Sequence, residues 1–408
     1  MKLRAITQLL SSSSTDKIFA ALESHGGSSR FVGGCVRDAI LNKKPTDIDI
    51  ATNLLPQQVQ DALNARNIKN FPIGIEHGTI RAMIEDNSYE ITTLREDVSA
   101  DGRRAVVKFT NDWKEDAQRR DFTINSMSYC PINHKLYDYF NGLADLNSGI
   151  IRFIGDPEQR IKEDYLRILR YFRFLGYYGR GGIEQRSLDA CIKYKSYINK
   201  LSAERKCQEF TKILQLQDSF HIISLMSDSG VLQELVSNLR PNFLTIYKNL
   251  LALESVYGSE INYLIKLFVL VNSDDGQSLN GVIKTLKLAN KQKKYLLAMQ
   301  AIVPSINGSK LLTLAYKNCK KLVFGALVFY LASMNTSVRD AVTVINQLDS
   351  FVIKKLPISG KDIMSVLHVK QSAKVGELLQ IAEEYWLNGD CIASKRDLLT
   401  ILGHLINT

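Results

Sequence analysis

Two carboxylates one residue apart, Asp47-Ile48-Asp49, are the residues whose type and spacing most directly imply chemistry. On an extended chain alternate side chains share a face, so Asp47 and Asp49 project together and Ile48 projects away. Their charges repel, and a bare pair would raise at least one pKa. A hard cation such as Mg²⁺ held between the oxygens resolves that repulsion; a solvated pair on an edge strand is the alternative. Glu90, alternating within SYEITTLR, could supply a third ligand or stand as a surface glutamate. About ten residues before Asp47 comes Gly33-Gly34-Cys35-Val36-Arg37-Asp38. A strand that runs into a glycine pair and then a helix presents free backbone N–H groups to an anion. Arg37, one turn in, can clamp phosphate oxygens. A phosphate cradle followed closely by a metal-binding carboxylate pair is a layout suited to nucleotidyl transfer.

Further along, EDYLRILRYFRF (Glu163–Phe174) sets Asp164 and Arg167 three apart on a predicted helix, where they would be neighbours. One reading is an intrahelical ion pair. The other uses their complementary chemistry: cytosine and adenine each offer an exocyclic amino donor beside a ring-nitrogen acceptor, and a carboxylate beside a guanidinium matches both. Uracil and guanine would leave buried groups unpaired, at a cost of roughly 1–3 kcal/mol each. Such a pair could select CTP and ATP without a template. Arg170 and Arg173 continue the spacing, but each step of three drifts by roughly 60°, so they wind away from Asp164.

The elements that must position these groups divide the chain in two. Arg30–Val32 reads as a strand, CVRDAILNKK as a helix, Thr46–Ala51 as a strand and LPQQVQDALNARN as an amphipathic helix. HGTIRAMIED and SYEITTLRED read as strands joined by a turn at Asp86-Asn87-Ser88. The polar segment EDVSADGRRAVVKFTND reads as a loop, before RRDFTINSMSYCP closes this part. From about Ile150 the apolar spacing of three and four turns helical and stays so. The predicted class is α+β: a mixed-sheet head followed by all-helical segments. Residues 1–150 carry 18 Lys/Arg against 19 Asp/Glu, and 151–408 carry 34 against 23, so the net charge of +10 resides in the helical part. Chemistry is expected in the head and polyanion binding behind it.

The 408 residues have the ordinary globular mix, 45% hydrophobic and 23% charged, which excludes a disordered or fibrous chain. Six scattered cysteines without a C-x-x-C pair give no sign of structural zinc or a disulfide framework. The apolar stretch in MKLRAITQLLSSSSTDK is short for a signal peptide. The longest apolar run, Leu322–Met334, falls short of the roughly 18–20 residues that span a bilayer. A cytoplasmic setting with no membrane partner is therefore expected. None of the six histidines precedes an Asp, so no His-Asp phosphohydrolase domain is legible.

FVGGCVRDAILNKKPTDIDIAT resembles the signature of the DNA polymerase β-type nucleotidyltransferases, and within them the class II tRNA nucleotidyltransferase and poly(A) polymerase family. The family's further motifs follow in order: RRDFTINSM (Arg119–Met127), YDYFNGLADLNSGIIR, EDYLRILRYFRF and AERKCQEF (Ala203–Phe210). The match runs over about residues 25–215 and implies a head (1–147), a nucleotide-selecting neck (148–215), a helical body (216–310) and a tRNA-binding tail (311–408). It implies CCA addition to tRNA 3′ ends from CTP and ATP, with poly(A) polymerase or A-adding-only enzymes as the alternative. Asp47 and Asp49 would hold two Mg²⁺ ions, with Glu90 beside them as the third carboxylate of the catalytic site. Gly33, Gly34, Arg37, Arg120, Asp164, Arg167, Arg170 and Arg173 would bind the nucleotide, although Arg170 and Arg173 could instead reach RNA phosphate. Asp121 and Asn125 either join the nucleotide contacts or brace the pocket, and Glu204, Arg205 and Glu209 look like a brace beside the selecting helix. Arg95, Asp97 and Arg103 match a charged loop linked to the switch from C to A addition; a solvated connector is the other reading. Neither the sequence nor the resemblance sets an oligomeric state.

Overall fold

The computed structural model describes residues 2–99, 106–271 and 277–407. The chain forms two compact units, Met1–Leu235 and Val236–Thr408.

The first unit opens with two helices, α1 (Lys2–Leu10) and α2 (Ser13–Ser24). The serine run between them is a helix start: Ser12 accepts the Thr15 N–H, and Thr15 Oγ1 accepts the Ser12 N–H at 2.7 Å. That reciprocal cap satisfies two otherwise orphaned donors. The strands are β1 (Ser29–Val32), β2 (Ile48–Thr52), β3 (Lys69–Gly74), β4 (Thr79–Ile84), β5 (Asn87–Thr93), β6 (Arg95–Ser99), β7 (Val106–Phe109), β8 (Ser128–Cys130) and β9 (Lys135–Tyr137). All but β6 and β7 form one mixed sheet in the order β3-β4-β5-β2-β1-β8-β9, with β2 and β5 parallel and the other pairs antiparallel. Burial along β4 and β5 alternates as a half-covered sheet demands. Ile80, Ala82, Tyr89, Ile91 and Thr93 point into the core; Arg81, Glu90 and Thr92 stay on the open side. The covered face packs against α2 and α4 (Pro56–Asn64), while α3 (Gly34–Ile40) contacts β1 and β2.

The segment after Arg95, expected as a loop, is instead a two-stranded ribbon of β6 and β7. Lys108, between Val107 and Phe109, stands opposite Glu96 and reaches it at 2.8 Å. Arg103 lies outside the described residues.

Short helices α5 (Trp113–Gln118) and α6 (Gly142–Ser148) lead to α7 (Pro157–Glu163), α8 (Leu166–Tyr178), α9 (Gln185–Tyr194), α10 (Ala203–Leu214) and α11 (Phe220–Asp228). One face of α8 is apolar and buried, with Ile168, Leu169, Phe172 and Leu175. Tyr171 and Phe174 join Phe122 and Phe153 in an aromatic cluster, with ring centroids 4.9 Å (Phe122–Phe153) and 5.1 Å (Phe122–Phe174) apart. This cluster seats α8 against the RRDFTIN segment. Burying such rings contributes roughly 1.5–3 kcal/mol each, which fixes where α8 presents its arginines.

The second unit is helical: α12 (Phe243–Tyr257), α13 (Tyr263–Leu270), α14 (Gln277–Thr285), α15 (Asn290–Ile302), α16 (Leu311–Lys317), α17 (Lys320–Ser333), α18 (Val338–Ser350), α19 (Gly360–Val366), α20 (Ala373–Asn388) and α21 (Lys395–Asn407). The long apolar run falls in α17, whose Val323–Phe329 stretch is buried at the centre of this bundle. Among the described residues no helix is long and apolar enough to cross a membrane. A second core gathers Leu312, Ile363, Trp386 and Leu402 near the C-terminal end.

Candidate active site

A cleft of about 400 Å³ in the first unit gathers residues from four separate motifs, among them Gly33, Asp49, Arg120, Asp164, Arg167 and Arg170. Gly34 and Arg37 also line it, as do Asp121, Asn125 and Arg205.

Gly33 leaves β1 with φ +71° and ψ −126°, a conformation essentially reserved for glycine. A Cβ here would stand 2.6 Å from Arg120 Nη1, so the missing side chain is what admits the guanidinium. Gly34 begins α3, and Arg37 on that helix is buried. Arg37 donates to Asp38 through Nε (2.9 Å) and Nη2 (3.0 Å) and to Asn125 Oδ1 through Nη1 (2.5 Å), above the Tyr178 ring at 4.3 Å. Tyr178 in turn donates its hydroxyl to Asp38 at 2.9 Å.

Asp49 is the second residue of β2, half-buried at the cleft edge; Asp47 is exposed and lies just before the strand, which begins at Ile48 rather than Thr46. In the parallel register Glu90 of β5 stands beside Asp49. Burial raises the Asp49 carboxyl above its ordinary range; Arg120 opposes the shift, and the Glu90 and Asp47 charges add to it. Glu90 is also held by Arg81 at 2.8 Å. Among the described residues no set of three His, Cys, Asp or Glu side chains converges as a preformed metal cage. A half-buried carboxylate with two acidic neighbours still suits Mg²⁺, which characteristically takes one or two carboxylates and completes its shell from substrate phosphates and water.

RRDFTIN forms the cleft wall as a charge network. Asp116 accepts from Arg119 (2.8 Å) and Arg120 (3.3 Å); although burial would raise its pKa, the two guanidinium groups hold it below the usual value. Asp121 is buried, which alone would raise it, yet Arg170, the Asn125 amide and the Phe122 N–H bring it down to about 2. Arg170 reaches Asp121 Oδ2 at 2.6 Å and Asn125 donates to Oδ1 at 2.9 Å. Asn125 thus links Arg37 to Asp121 and on to Arg170.

Asp164 and Arg167 both face the cleft but do not pair. The predicted continuous helix breaks: α7 ends at Glu163, and Asp164 has extended backbone (φ −155°, ψ 105°) before α8 begins. Asp164 accepts the Leu166 N–H at 3.1 Å and is held by Arg205 of α10 at 2.7 Å. Arg167 donates to Glu163 at 2.7 Å and to the carbonyls of Arg160 (2.8 Å) and Arg119 (3.2 Å). Arg173 is bound to Glu209 at 2.6 Å, and Arg170 also faces Glu209 at 3.9 Å. Arg205 and Glu209 are therefore the two posts of α10 that anchor the cleft's charged groups. Arg95 donates to the His77 carbonyl, and Asp97 sits opposite Val107 in the ribbon. Sequence reasoning missed Arg160, whose Nη2 grips the carbonyls of Arg119 (2.5 Å) and Arg120 (2.6 Å) and so ties α7 to RRDFTIN. Backbone carbonyls carry no residue signature, so no motif marks it.

Family models match along the chain: a poly A polymerase head domain at residues 29–152, a probable RNA and SrmB-binding site of polymerase A at 182–242, and tRNA nucleotidyltransferase domain 2 at 259–402. The mitochondrial CCA tRNA nucleotidyltransferase 1 of Mus musculus is 33% identical over 388 residues, covering 91% of this chain and 86% of that protein. The CCA-adding enzyme of Bacillus velezensis is 31% identical over 380 residues, 91% of this chain and 93% of that one. Among solved structures, the Bacillus stearothermophilus CCA-adding enzyme in complex with CTP superposes with a TM-score of 0.75 over 98% of both chains at 22% identity, a likeness of fold.

Proposed function

The chain belongs to the CCA tRNA nucleotidyltransferase family, and on that premise we propose that it builds or repairs the CCA end of tRNA. CMP and AMP are transferred from CTP and ATP without a nucleic-acid template. The observation that carries this is the shared cleft: a carboxylate beside a glycine turn and an Asp–Arg couple able to face a base line the same space. The full-length relatives are CCA-adding enzymes, which favours this reading over poly(A) polymerase, although the head is common to both.

In this proposal Asp47 and Asp49, with Glu90 alongside, would hold Mg²⁺, which when bound supplies positive charge to the triphosphate and acidifies the primer 3′-hydroxyl. Arg120 offsets the Asp49 charge only in part before substrate arrives. Gly33 and Gly34 leave room for phosphate oxygens near the backbone, and Arg37 borders that space. Asp164 accepts from the exocyclic amine of cytosine or adenine, and Arg167 donates to the neighbouring ring nitrogen. Both are held off each other by Arg205 and Glu163, which keeps them available to a base. Arg170 and Arg173 keep the wall rigid beside the nucleotide. Arg95, Asp97 and Arg103 act in the change from C to A addition. The head, neck, body and tail segments bounded at 147, 215 and 310 belong to the same proposal, with the basic helical part gripping tRNA through its backbone charge. A cytoplasmic setting belongs to the same proposal.

The test is primer extension by purified protein with Mg²⁺. tRNAs ending before CCA or after CC, and an unrelated RNA, receive CTP and ATP singly and together. Completion of CCA and arrest there is the expected result; a long adenosine ladder on any RNA would mean poly(A) synthesis.

A further inference from the structure

On the open face of the sheet a row of side chains leads away from the carboxylates. The register aligns Asp49 with Glu90, Glu90 with Arg81 and Arg81 with Phe71, so all four lie on one face of β2, β5, β4 and β3. Phe71 is 44% exposed, and Ile73 and Ile75 beside it are 42% and 50% exposed. Lys69, opposite Met83 in the next row, lays its ammonium 5.3 Å from the Phe71 ring centre. A soluble surface rarely gathers exposed large apolar side chains without a use for them.

The strand order says which use. Gly33, Arg120 and Asn125 belong to the β1 and β8 side of β2; β5, β4 and β3 extend from its other side. If the nucleotide occupies the cleft, attack in line with the departing pyrophosphate brings the primer hydroxyl in from outside that cleft, and this face is the open sheet adjoining Asp49. An edge strand could instead recruit another strand, but Pro72 lacks an N–H and the register slips between Pro72 and Gly74, both features that block strand addition. An aromatic ring flanked by cations suits a stacked base and its phosphates.

We infer that the face running from Glu90 through Arg81 to Phe71 is the track for the single-stranded 3′ end of the RNA primer. Phe71 stacks on a base, and Lys69 and Arg81 face the phosphates. Three strand spacings, about 14 Å, separate Phe71 from Asp49, so the stacked base is upstream of the reacting terminus. Arg81 spends one nitrogen on Glu90, and its Nε has no hydrogen-bond partner. This deepens the proposed function and rests on it.

The test compares wild type with Phe71→Ala, Phe71→Leu and Phe71→Trp, using tRNA lacking CCA as primer. Phe71→Ala and Phe71→Leu should raise the KM for tRNA roughly 5- to 100-fold, the worth of one base–aromatic stack, while the KM for CTP stays constant. Phe71→Trp should restore it. A 2-aminopurine base placed upstream in the primer's single-stranded end should be quenched by wild type and by Phe71→Trp alone. Equal activity of Phe71→Leu and wild type, or a parallel rise in both KM values, overturns the inference. So does a wild-type dimer that Phe71→Ala dissociates with the tRNA KM unchanged, since the patch would then be a subunit interface. A wild type that extends no tRNA refutes instead the function on which the inference rests.

Discussion

Replacing Arg170 by Met should destabilise the protein through Asp121, and the magnitude follows from what each carboxylate keeps. Arg170 reaches Asp121 Oδ2 at 2.6 Å and Glu209 Oε1 at 3.9 Å, and both acids have side chains only 7% exposed. Glu209 retains Arg173 at 2.6 Å; Asp121 retains only the Asn125 amide and the Phe122 N–H. Asp121 is therefore the group left stranded. Lying at about 2 rather than 3.8, it contributes on the order of 2 kcal/mol at neutral pH. Without Arg170, burial loses its main opposing cation, only the weaker Arg160 charge remaining, and lifts the carboxyl above its ordinary value, bringing the total cost to about 3 kcal/mol, the lower range for a broken buried pair. The sign is set by linkage. In wild type the contribution is complete above 3.8 and fades as pH falls toward about 2; in the variant the carboxyl takes its proton at higher pH. The deficit should thus be largest near neutrality and shrink as pH approaches about 4. Urea denaturation of wild type and Arg170→Met from neutral pH down to that point measures it, and Arg170→Met/Asp121→Asn should recover most of the loss. A deficit independent of pH, or no recovery in the double variant, would refute the charge argument and leave packing of Arg170 over Phe174, 5.4 Å away, as the cause.

Gly33→Ala should lose roughly 1–3 kcal/mol to backbone strain and also displace Arg120, whereas Gly34→Ala, whose Cβ would come no nearer than 3.5 Å to Arg37, should lose less; thermal melts and primer extension of the two variants test the contrast. Asp49→Asn should abolish transfer without lowering the melting temperature, because Asp49 is a raised, repelled carboxylate in the unliganded protein; a lower melting temperature would count against that. Asp164→Ala should blunt the preference for CTP over UTP while tRNA affinity in a filter-binding assay is unchanged; retained discrimination would remove Asp164 from base reading. Chelation of divalent cations should stop nucleotide addition reversibly and leave the circular dichroism spectrum unchanged.

How much of this was legible in the sequence depended on whether a partner is local. The glycine turn and the carboxylate pair are contiguous, and alternation alone placed the strands that carry Asp49 and Glu90. The break before α8 has only a local polar signal: Asp164 bonds the Leu166 N–H in the manner of an N-cap, but EDYLRILRYFRF keeps its apolar spacing across the break, and spacing dominated. Once Asp164 is extended it no longer stacks on Arg167, and both are free to take partners from elsewhere. The ribbon of β6 and β7 was hidden for a related reason. The adjacent charges Arg95-Glu96-Asp97 look like a solvated loop until the opposite strand shows that Lys108 answers Glu96.

The distant partners carry a stronger lesson about the cleft. Arg205 lies 41 residues from Asp164, Asp121 lies 49 from Arg170, and Asn125 lies 88 from Arg37, and no periodicity within a segment reports such pairings. Their chemistry nevertheless constrains them. A cleft lined by buried and half-buried arginines and aspartates is tolerable only if each charge is answered. Asp121 and Asp116, held low, are already fully answered by guanidinium groups. Asp49 is the carboxylate of this wall whose pKa moves the other way, raised by burial and by its acidic neighbours. That imbalance marks it as the point where the folded chain still lacks positive charge. Under the proposed function, it is the electrostatic condition for recruiting a cation at Asp49 rather than elsewhere along the same wall.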